Sequence, residues 1–518
     1  MQIRLYSKLS GLTGSPRLSS LISPKSGSLK VTKTSIHPTQ PARTRFAPSP
    51  TGYLHLGSLR TALYNYLLAK NTGGQFLLRL EDTDQTRLVP DAEQNIYDTL
   101  EWCGIIPDES PIRGGPYEPY SQSSRKEIYA QYAQELVNKG HAYYCDCSKD
   151  RLLELRESAA QLKPPTTVSY DRKCLHHPTE PKPKPSIGSV IRFKSPDLYE
   201  PFTDLVHGKL DIQPQYNVND RRYDDFVIMK SDGLPTYHFA NVVDDHLMKI
   251  THVIRGEEWL PSTPKHIAMY RAFGWQEPKF VHIPLLTSLE DKKLSKRLGD
   301  IGILTMKDKG ILPEAVINFV ALFGWSAVRD TPGISSTEVM QLSEIINKFS
   351  LDNLTRGNAK VNDSKLYFFN RHHMNNLVKD DSRLDELVCE FYPKFQQHTT
   401  SSIDKAQVKD IVREVGPSVD CLDEIFTKHS YLYESIDYTS IDTKKLPSQA
   451  RDILECFQTY ESIDEVLKRL PDVSKKHVFQ SLRYALAGGT SGLTIPILLH
   501  IIGKKEYQAR IKESLKYI

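Results

Sequence analysis

The stretch Arg43–Lys70, RTRFAPSPTGYLHLGSLRTALYNYLLAK, constrains the fold of this chain more than any other. A short apolar run around Phe46 predicts a strand, and the Pro- and Gly-rich residues 48–52 predict a turn. Apolar residues at three- and four-residue spacing from Leu56 to Leu67 then predict a helix. A strand that turns into a helix N-terminus presents unpaired backbone N–H groups, which can hold a phosphate. The stretch therefore predicts a phosphate-binding turn.

Two residues at this turn and one later segment strengthen that prediction. Gly57 has no Cβ, so a flat ring or a phosphate could lie against the backbone, and His55 offers a donor to a phosphate oxygen. Residues 292–297, KKLSKR, follow a predicted strand at 280–286. A Lys-rich hexamer is usually a solvated surface, but its place after a strand favours a mobile cationic loop with a function.

The motifs PSPTGYLHLG and KLSKR together resemble the two signatures of class I aminoacyl-tRNA synthetases, and the residues around them resemble glutamyl-tRNA synthetases. Ser58 stands where the general signature ends in His, a position that varies among the glutamyl enzymes. The resemblance implies an α/β fold: a Rossmann-like nucleotide-binding domain with an inserted acceptor-binding domain, followed by an all-α anticodon-binding region. It also implies activation of L-glutamate with ATP and Mg²⁺ and transfer of the glutamyl group to tRNA.

The same resemblance assigns the ATP site. His55, Lys293 and Lys296 are expected to act on the phosphates during the reaction. The full set expected to bind ATP is His55, Gly57, Glu258, Lys293, Leu294, Ser295, Lys296 and Arg297.

Residues 231–260, SDGLPTYHFANVVDDHLMKITHVIRGEEWL, resemble the amino-acid pocket of the family. Tyr237 and Asn241 are four apart at a predicted helix start and would face the same side. Arg255 follows a predicted strand, where its guanidinium can fork onto a carboxylate. Arg45 resembles the second carboxylate-binding arginine of the family, and two arginines favour glutamate, which has two carboxylates, over an uncharged amino acid. The set expected to bind glutamate is Arg45, Phe46, Ala47, Ser49, Glu81, Tyr237, Asn241 and Arg255.

Two charged clusters near these residues have simpler interpretations. Asp244, Asp245 and His246 could form a surface turn or, less favoured, a metal cluster. In FLLRLEDTDQTR, Thr83 or Asp84 could cap the helix that continues through residues 92–100. Glu81 needs another role, and the family implies a contact to the amino group of the bound amino acid.

Four residues have the chemistry of a zinc site. Cys145, Cys147, Cys174 and His176 offer the ligands of a closed tetrahedral site, although their one-residue gaps are shorter than a usual knuckle. Some bacterial glutamyl enzymes carry a similar motif. The alternatives left open are buried thiol packing without metal and His177 in place of His176.

The N-terminal part of the chain differs in composition from the rest. No acidic residue precedes Glu81, and residues 1–40 combine basic and hydroxyl side chains with spaced leucines. This composition predicts a mitochondrial transit peptide and a protein of the matrix, with a basic RNA-binding arm as the alternative. The net charge of the chain is +4, and the basic N-terminal part contributes more positive charge than this total, so the rest of the chain is slightly acidic. Binding of RNA by the rest of the chain would therefore need local basic faces. No apolar run reaches the roughly 18 to 20 residues of a membrane span, so no membrane partner is expected.

The predicted domain order follows from these motifs. After the transit peptide we expect a catalytic half at 41–123, an insert at 124–237, a second catalytic half at 238–292, a stem-contact domain at 293–372 and a helical anticodon-binding domain at 373–518. The helical C-terminal periodicity favours a glutamyl over a glutaminyl enzyme, and the length disfavours a nucleotidylyltransferase of cofactor biosynthesis. We expect a monomer that binds tRNA(Glu); the sequence leaves open whether tRNA(Gln) is also charged.

Overall fold

The computed structural model describes residues 34–176, 186, 188–215, 217, 219–288, 302–327, 338–399, 403–460 and 462–518. His37–Ile518 form one compact unit. The predicted transit peptide lies outside the described residues up to residue 33. Within the described ranges, no helix is both long enough and apolar enough to cross a membrane.

The predicted strand, turn and helix are present at the start of this unit. Strand β1 (Arg43–Phe46) leads into helix α1 (Leu56–Asn71), and the chain returns as β2 (Gln75–Leu78). β2 pairs with β1 in parallel, and α1 supplies the crossover that a parallel pair requires. Helix α2 (Ala92–Trp102) follows.

The second half of the sheet meets the first at one end. Strand β8 (His252–Gly256) pairs in parallel with β9 (Lys279–Ile283), with helix α6 (Thr263–Phe273) between them. Just before β8, the Thr251 N–H donates to the Arg43 carbonyl at 2.9 Å. β1 and β8 therefore lie side by side, and ligands of such sheets bind where the strands end.

The predicted insert contains a sheet of its own and also contributes to the catalytic sheet. Strands β3 (Ala142–Cys145), β4 (Val190–Phe193) and β7 (Val227–Met229) form a three-stranded antiparallel sheet. The hairpin of β5 (Phe202–Asp204) and β6 (Gly208–Leu210) instead extends the β8–β9 sheet, because Asp204 pairs with Phe280. Part of the sequence between 124 and 237 is thus built into the catalytic half.

One hydrophobic core joins the insert to the nucleotide fold. Helix α3 (Lys126–Asn138) packs against α5 (Tyr237–Leu247), and Tyr129 and Phe239 are fully buried between them together with Met269 of α6. Helix α4 (Lys149–Gln161) lies on the outer side, with one buried residue. Because α5 is held by this shared core, the polar side chains at its start occupy fixed positions.

The remainder of the described chain is helical apart from the short parallel pair β10 (Leu286–Thr287) and β11 (Ala359–Lys360). After Lys360 every regular element in the described ranges is a helix, which confirms the predicted all-α C-terminal region. Three α-helices precede β11, namely α7 (Ile303–Asp308), α8 (Pro313–Ala321) and α9 (Leu342–Lys348). The α-helices after it are α10 (Asp363–Leu377), α11 (Asp381–His398), α12 (Lys405–Val415), α13 (Glu424–Lys428), α14 (Ala450–Thr459), α15 (Ile463–Arg469), α16 (Lys475–Ala487) and α17 (Ile495–Ser514).

Candidate active site

A cleft of about 740 Å³ lies where β1 and β8 end and where α1 and α5 begin. It contains all the residues predicted to bind glutamate, together with His55 and Glu258 from the predicted ATP site. The predicted site residues that line it are Arg45, Phe46, Ala47, Ser49, His55, Glu81, Tyr237, Asn241, Arg255 and Glu258. Residues more than two hundred positions apart in sequence therefore meet in one cavity.

Arg255 lies in β8 and is almost completely buried. Its Nε donates to His282 Nε2 at 3.0 Å, its Nη2 donates to Thr263 Oγ1 at 2.9 Å, and its Nη1 lies 3.2 Å from His266 Nδ1. No carboxylate among the described residues forms an ion pair with it, and burial lowers its pKa. A guanidinium that is buried without a counter-ion strongly favours a negatively charged ligand.

Arg45, in β1, faces the same cleft but has one internal partner. Its Nε lies 3.1 Å from Asp245 Oδ1, and both side chains are buried. Within the described residues this carboxylate bonds to Nε, and Arg45 lines the cleft. Arg45 and Arg255 thus present two cationic groups to one cavity.

Glu81, Asn241 and Tyr237 form the polar wall between these arginines. Glu81 Oε1 accepts from Arg79 Nη2 at 3.2 Å and from Asn241 Nδ2 at 3.3 Å. Burial raises the pKa of Glu81, against the opposing effect of Arg79 and Arg45. Burial also raises the pKa of Tyr237 to about 12, so its phenol stays protonated and can donate. The Tyr237 ring packs on Trp259, 4.2 Å between centroids, a contact that the sequence did not indicate.

The start of α1 differs from the prediction. His55 is the N-cap, and its Nδ1 accepts from the backbone N–H groups of Gly57 at 3.1 Å and Ser58 at 3.4 Å. These N–H groups were expected to face a phosphate, but side-chain capping satisfies them here. Because Nδ1 accepts, the proton of the neutral ring is on Nε2, 3.2 Å from Ser58 Oγ. A Cβ on Gly57 would lie 3.1 Å from His55 Cε1, so the glycine makes room for the imidazole, and Gly57 does not line the cleft.

The predicted lysine loop falls on residues that the structure does not describe. Lys293, Leu294, Ser295, Lys296 and Arg297 lie between Ser288 and Gly302, outside the described ranges. The chain just after this segment is close to the cleft, since the Ile303 N–H donates to the carbonyl of Leu54 at 3.2 Å. Their roles stay predictions from sequence.

Two of the simpler interpretations are wrong. Asp244 and Asp245 are neither a surface turn nor a metal cluster, because both are buried on α5 and bonded to arginines. Neither Thr83 nor Asp84 caps α2, which begins only at Ala92. Asp84 instead accepts from Thr86 and Arg87 in a local turn.

Arg79 is the centre of a buried ionic network that the sequence did not predict. Its side chain has no exposed surface and lies 2.7 Å from Asp245 Oδ1, 3.6 Å from Asp244 Oδ2 and 3.2 Å from Glu81 Oε1. Asp244 also accepts from Arg125, Gln122 and Tyr129 of the segment that enters the insert. The helical spacing from Tyr237 and Asn241 to these two aspartates places all four on one side of α5, and this signal could have found them.

The predicted zinc residues come together in part. The ligand atoms of Cys145, Cys147 and Cys174 lie within 4.8 Å of one another, and His176 is not in that group. The Tyr170 hydroxyl lies beside these thiols instead, 3.3 Å from Cys145 Sγ and 3.6 Å from Cys147 Sγ. Although burial opposes it, hydrogen bonds from Tyr170 and Arg192 lower the pKa of the Cys145 thiol. His177 lies outside the described residues.

Known protein families match most of the chain. The catalytic domain of class I tRNA synthetases for glutamate and glutamine matches residues 41–368, and an anticodon-binding domain matches residues 384–515. The nucleotide fold, the two-arginine cleft and these matches define a class I aminoacyl-tRNA synthetase. The chain belongs to the glutamate and glutamine family of these enzymes, which confirms the resemblance and the fold class stated above.

Individual relatives within this family cover nearly the whole chain. The mitochondrial glutamate–tRNA ligase of Saccharomyces cerevisiae is 49% identical over 98% of this chain and 96% of that protein, and that of Schizosaccharomyces pombe is 40% identical over 92% of each. A crystal structure of a glutamate tRNA ligase from Elizabethkingia meningosepticum, in complex with its amino acid, is 33% identical. It matches with a TM-score of 0.77 over 92% of this chain and 99% of that one.

Proposed function

We propose that this chain is a glutamate–tRNA ligase that activates L-glutamate with ATP and transfers the glutamyl group to the 3′ end of tRNA(Glu) in the mitochondrion. The observation that carries the proposal is the buried, unneutralised guanidinium of Arg255, which opens onto the same cleft as Arg45 and Glu81. Relatives that carry the name glutamate–tRNA ligase support it over more than nine-tenths of the chain.

Recognition of glutamate follows from the charges of the cleft. Arg255 and the terminal nitrogens of Arg45 would each hold a carboxylate, a task that suits the planar guanidinium fork. Glu81, with Asn241 beside it, would accept a hydrogen bond from the ammonium group. Glutamine lacks the second negative charge, so it would leave one buried cation without a partner.

The first chemical step needs alignment more than a protein nucleophile. A carboxylate oxygen of glutamate attacks the α-phosphorus of ATP, the bond to the β-phosphate breaks and diphosphate leaves, which gives glutamyl-adenylate. His55, with its proton on Nε2, would donate to the α-phosphate oxygens as charge builds there. Lys293 and Lys296 are proposed from sequence to neutralise the leaving diphosphate, and Mg²⁺ bound with ATP would share that charge.

In the second step a ribose hydroxyl of the terminal nucleotide attacks the activated carbonyl. The ester bond forms as the bond between the carbonyl carbon and the phosphate oxygen breaks, AMP leaves, and the hydroxyl proton passes to a phosphate oxygen of the departing AMP. The helical region from residue 384, which matches an anticodon-binding domain, would hold the other end of the tRNA.

Two mitochondrial relatives support import into the mitochondrion, and a reporter protein that carries residues 1–42 tests it. Retention of that reporter in the cytosol would contradict the mitochondrial assignment.

An aminoacylation assay with purified chain tests the activity. Four reactions pair tRNA(Glu) or tRNA(Gln) with glutamate or glutamine in the presence of ATP and Mg²⁺. We expect glutamate to be esterified to tRNA(Glu) and glutamine to neither tRNA, and the tRNA(Gln) reaction decides whether that tRNA is also a substrate. Charging with glutamine alone would overturn the proposal.

Lys296→Ala tests the part of the proposal that the structure does not describe. Loss of one cation at a transition state costs about 3 kcal/mol, or roughly a hundredfold in rate. We expect that loss with tRNA affinity nearly intact. Equal losses of rate and tRNA affinity would make the lysine loop an RNA-docking element instead.

We also propose that the cysteine group holds a structural zinc ion. Three thiols within 4.8 Å match a zinc ligand set, and Arg192 donates to Cys145 Sγ at 3.2 Å, which favours the thiolate of Cys145. Burial raises the pKa of the Cys147 thiol to about 11, so this thiol would lose its proton to the metal on binding. The Tyr170 oxygen is the proposed fourth ligand in place of His176. Elemental analysis should find about one zinc per chain.

Two matched variants decide the fourth ligand. Tyr170→Phe should lower the retained zinc, whereas His176→Ala should not, because His176 lies outside the group. Zinc near zero in the wild-type protein would end the zinc proposal. Equal loss in both variants would remove the special role of Tyr170.

A further inference from the structure

The side chain of Arg255 is held by partners that can only accept its protons. An arginine donates and never accepts, so the ring nitrogens that face it, His282 Nε2 and His266 Nδ1, must both be unprotonated. Thr263 Oγ1 accepts the third contact at 2.9 Å. All three partners are buried, so water does not replace them.

This requirement fixes the tautomer of His282. With Nε2 as the acceptor, the ring proton must be on Nδ1, which lies 2.8 Å from Asp204 Oδ2. The Asp204 carboxylate is itself immobilised, because Oδ1 accepts from the N–H groups of Val206 and His207, each at 2.9 Å, and Oδ2 also accepts from the His282 N–H at 3.1 Å. Asp204 has no exposed surface.

We propose that Asp204 and His282 are positioning residues for carboxylate recognition. Asp204 fixes the tautomer of His282, and His282 fixes the plane of the Arg255 guanidinium without neutralising it. The inference rests on the proposed function, because it assigns the free charge of Arg255 to a carboxylate of glutamate. The two residues reach Arg255 from β5 and β9, so the hairpin within the predicted insert contributes to the amino-acid site.

The neutral imidazole between the two charges is central to this arrangement. If the Asp204 carboxylate contacted Arg255 directly, the two would form a buried ion pair and compete with the substrate. The imidazole of His282 orients the Arg255 guanidinium through hydrogen bonds while it keeps the charges of Asp204 and Arg255 apart. An apolar side chain at residue 282 would keep them apart too, but it would leave Arg255 Nε without an acceptor.

Two amide substitutions at residue 282 separate these effects. In His282→Gln the amide oxygen reaches the place of Nε2 and can still accept from Arg255, whereas in His282→Asn the amide reaches only the place of Nδ1. We expect the glutamate KM of H282N to rise about tenfold, the size of one hydrogen bond to a charged group, with ATP KM and kcat little changed. The glutamate KM of H282Q should stay within about twofold of wild type.

The role of Asp204 is tested in two backgrounds. Asp204→Asn should raise the glutamate KM about tenfold when residue 282 is histidine, because the tautomer is no longer fixed. In the H282Q background the same change should have an effect below about twofold, since an amide has no tautomer to fix. KM does not depend on the amount of folded enzyme, so the D204N pair carries the test if H282N fails to fold.

The outcomes distinguish failure of the positioning role from failure of the proposed function. Equal rises of glutamate KM in H282N and H282Q, or equal effects of D204N in both backgrounds, would overturn the positioning role while wild-type charging with glutamate upholds the proposed function. A parallel rise of the ATP KM would show a general structural role and overturn it as well. If the wild-type chain does not charge tRNA with glutamate, the proposed function fails and the inference fails with it.

Discussion

Arg79 and Arg255 are both buried arginines next to one cleft, yet their surroundings differ in charge. Arg79 has carboxylates around it, whereas Arg255 contacts two imidazoles and a hydroxyl. Burial opposes both charges; at Arg79 the aspartates outweigh it and raise the pKa, while at Arg255 burial lowers the pKa. The cleft is lined by Arg255 and not by Arg79. The neighbours of a buried arginine, more than its burial, therefore separate a structural charge from one that is available to a ligand.

Arg79→Met should give the largest effect, and it acts on stability. The substitution leaves Asp244 and Asp245 buried with part of their counter-charge removed, and breaking such a pair costs about 3–5 kcal/mol. Urea unfolding measures the loss. The matched control is Arg87→Met, which removes an exposed pair with Asp84 and should cost far less, because water screens such a pair. Equal losses in the two variants would remove the structural role assigned to Arg79.

Arg255→Met should give the opposite pattern. The glutamate KM is expected to rise by about a hundredfold, because a carboxylate of glutamate loses the charged group that binds it, while the ATP KM changes far less. The free energy of unfolding should fall less than in Arg79→Met, since no buried carboxylate is left unpaired. Steady-state aminoacylation and urea unfolding provide both measurements. An unchanged glutamate KM would contradict the assignment of Arg255 to the amino-acid pocket.

The contrast between these arginines also shows what the sequence can predict. Tyr237, Asn241 and Arg255 were predicted because residues 231–260 resemble the amino-acid pocket of the family, and helical spacing and the end of a strand supported that prediction. The carboxylates of Arg79 were not found, because Asp245 lies 166 residues away and only the packed fold brings it close. The contact of His282 with Arg255 was also not predicted, because it too depends on the packed fold. Neither was the contact of Tyr170 with Cys145, near the position predicted for His176.

The α/β order was implied by the family resemblance, and periodicity indicated the first strand and helix and the helical C-terminal region. The place of the β5–β6 hairpin was not, since a short strand carries no signal for which sheet it joins. Capping of α1 by His55 was also missed, because the same histidine suits both a cap and a phosphate contact. The sequence thus indicates which polar residues lie among apolar ones, and tertiary contacts determine which partners neutralise their charges.

Asp245→Asn tests the point where the two regions meet. Asp245 accepts from Arg45 in the cleft and from Arg79 in the network, so this variant should affect both binding and stability. We expect a loss of about 2 kcal/mol in unfolding free energy and a rise of about tenfold in glutamate KM. An effect on stability with no change in glutamate KM would show that Arg45 does not depend on Asp245 for its orientation.

The histidines near Arg255 should make the stability of the protein sensitive to acid. Burial, with a contribution from Arg255, lowers the pKa of His282 to about 4 against the opposing effect of Asp204, and burial lowers that of His238 to about 4. An unfolded histidine has a pKa near 6.5. Above that pH the ring is neutral in both states and its contribution to stability is fully present.

As pH falls from about 6.5 towards 4, the unfolded chain binds a proton at His282 and the folded chain does not. Stability is therefore lost in this window, by up to about 1.4 kcal/mol per pH unit for each such histidine. His282→Gln removes that proton from the unfolded state, so its unfolding free energy should fall less steeply than that of the wild type. Urea unfolding at a series of pH values between about 7 and 4.5 measures the slopes. Equal slopes would mean that His282 is protonated in the folded state, in which case its Nε2 could not accept from Arg255.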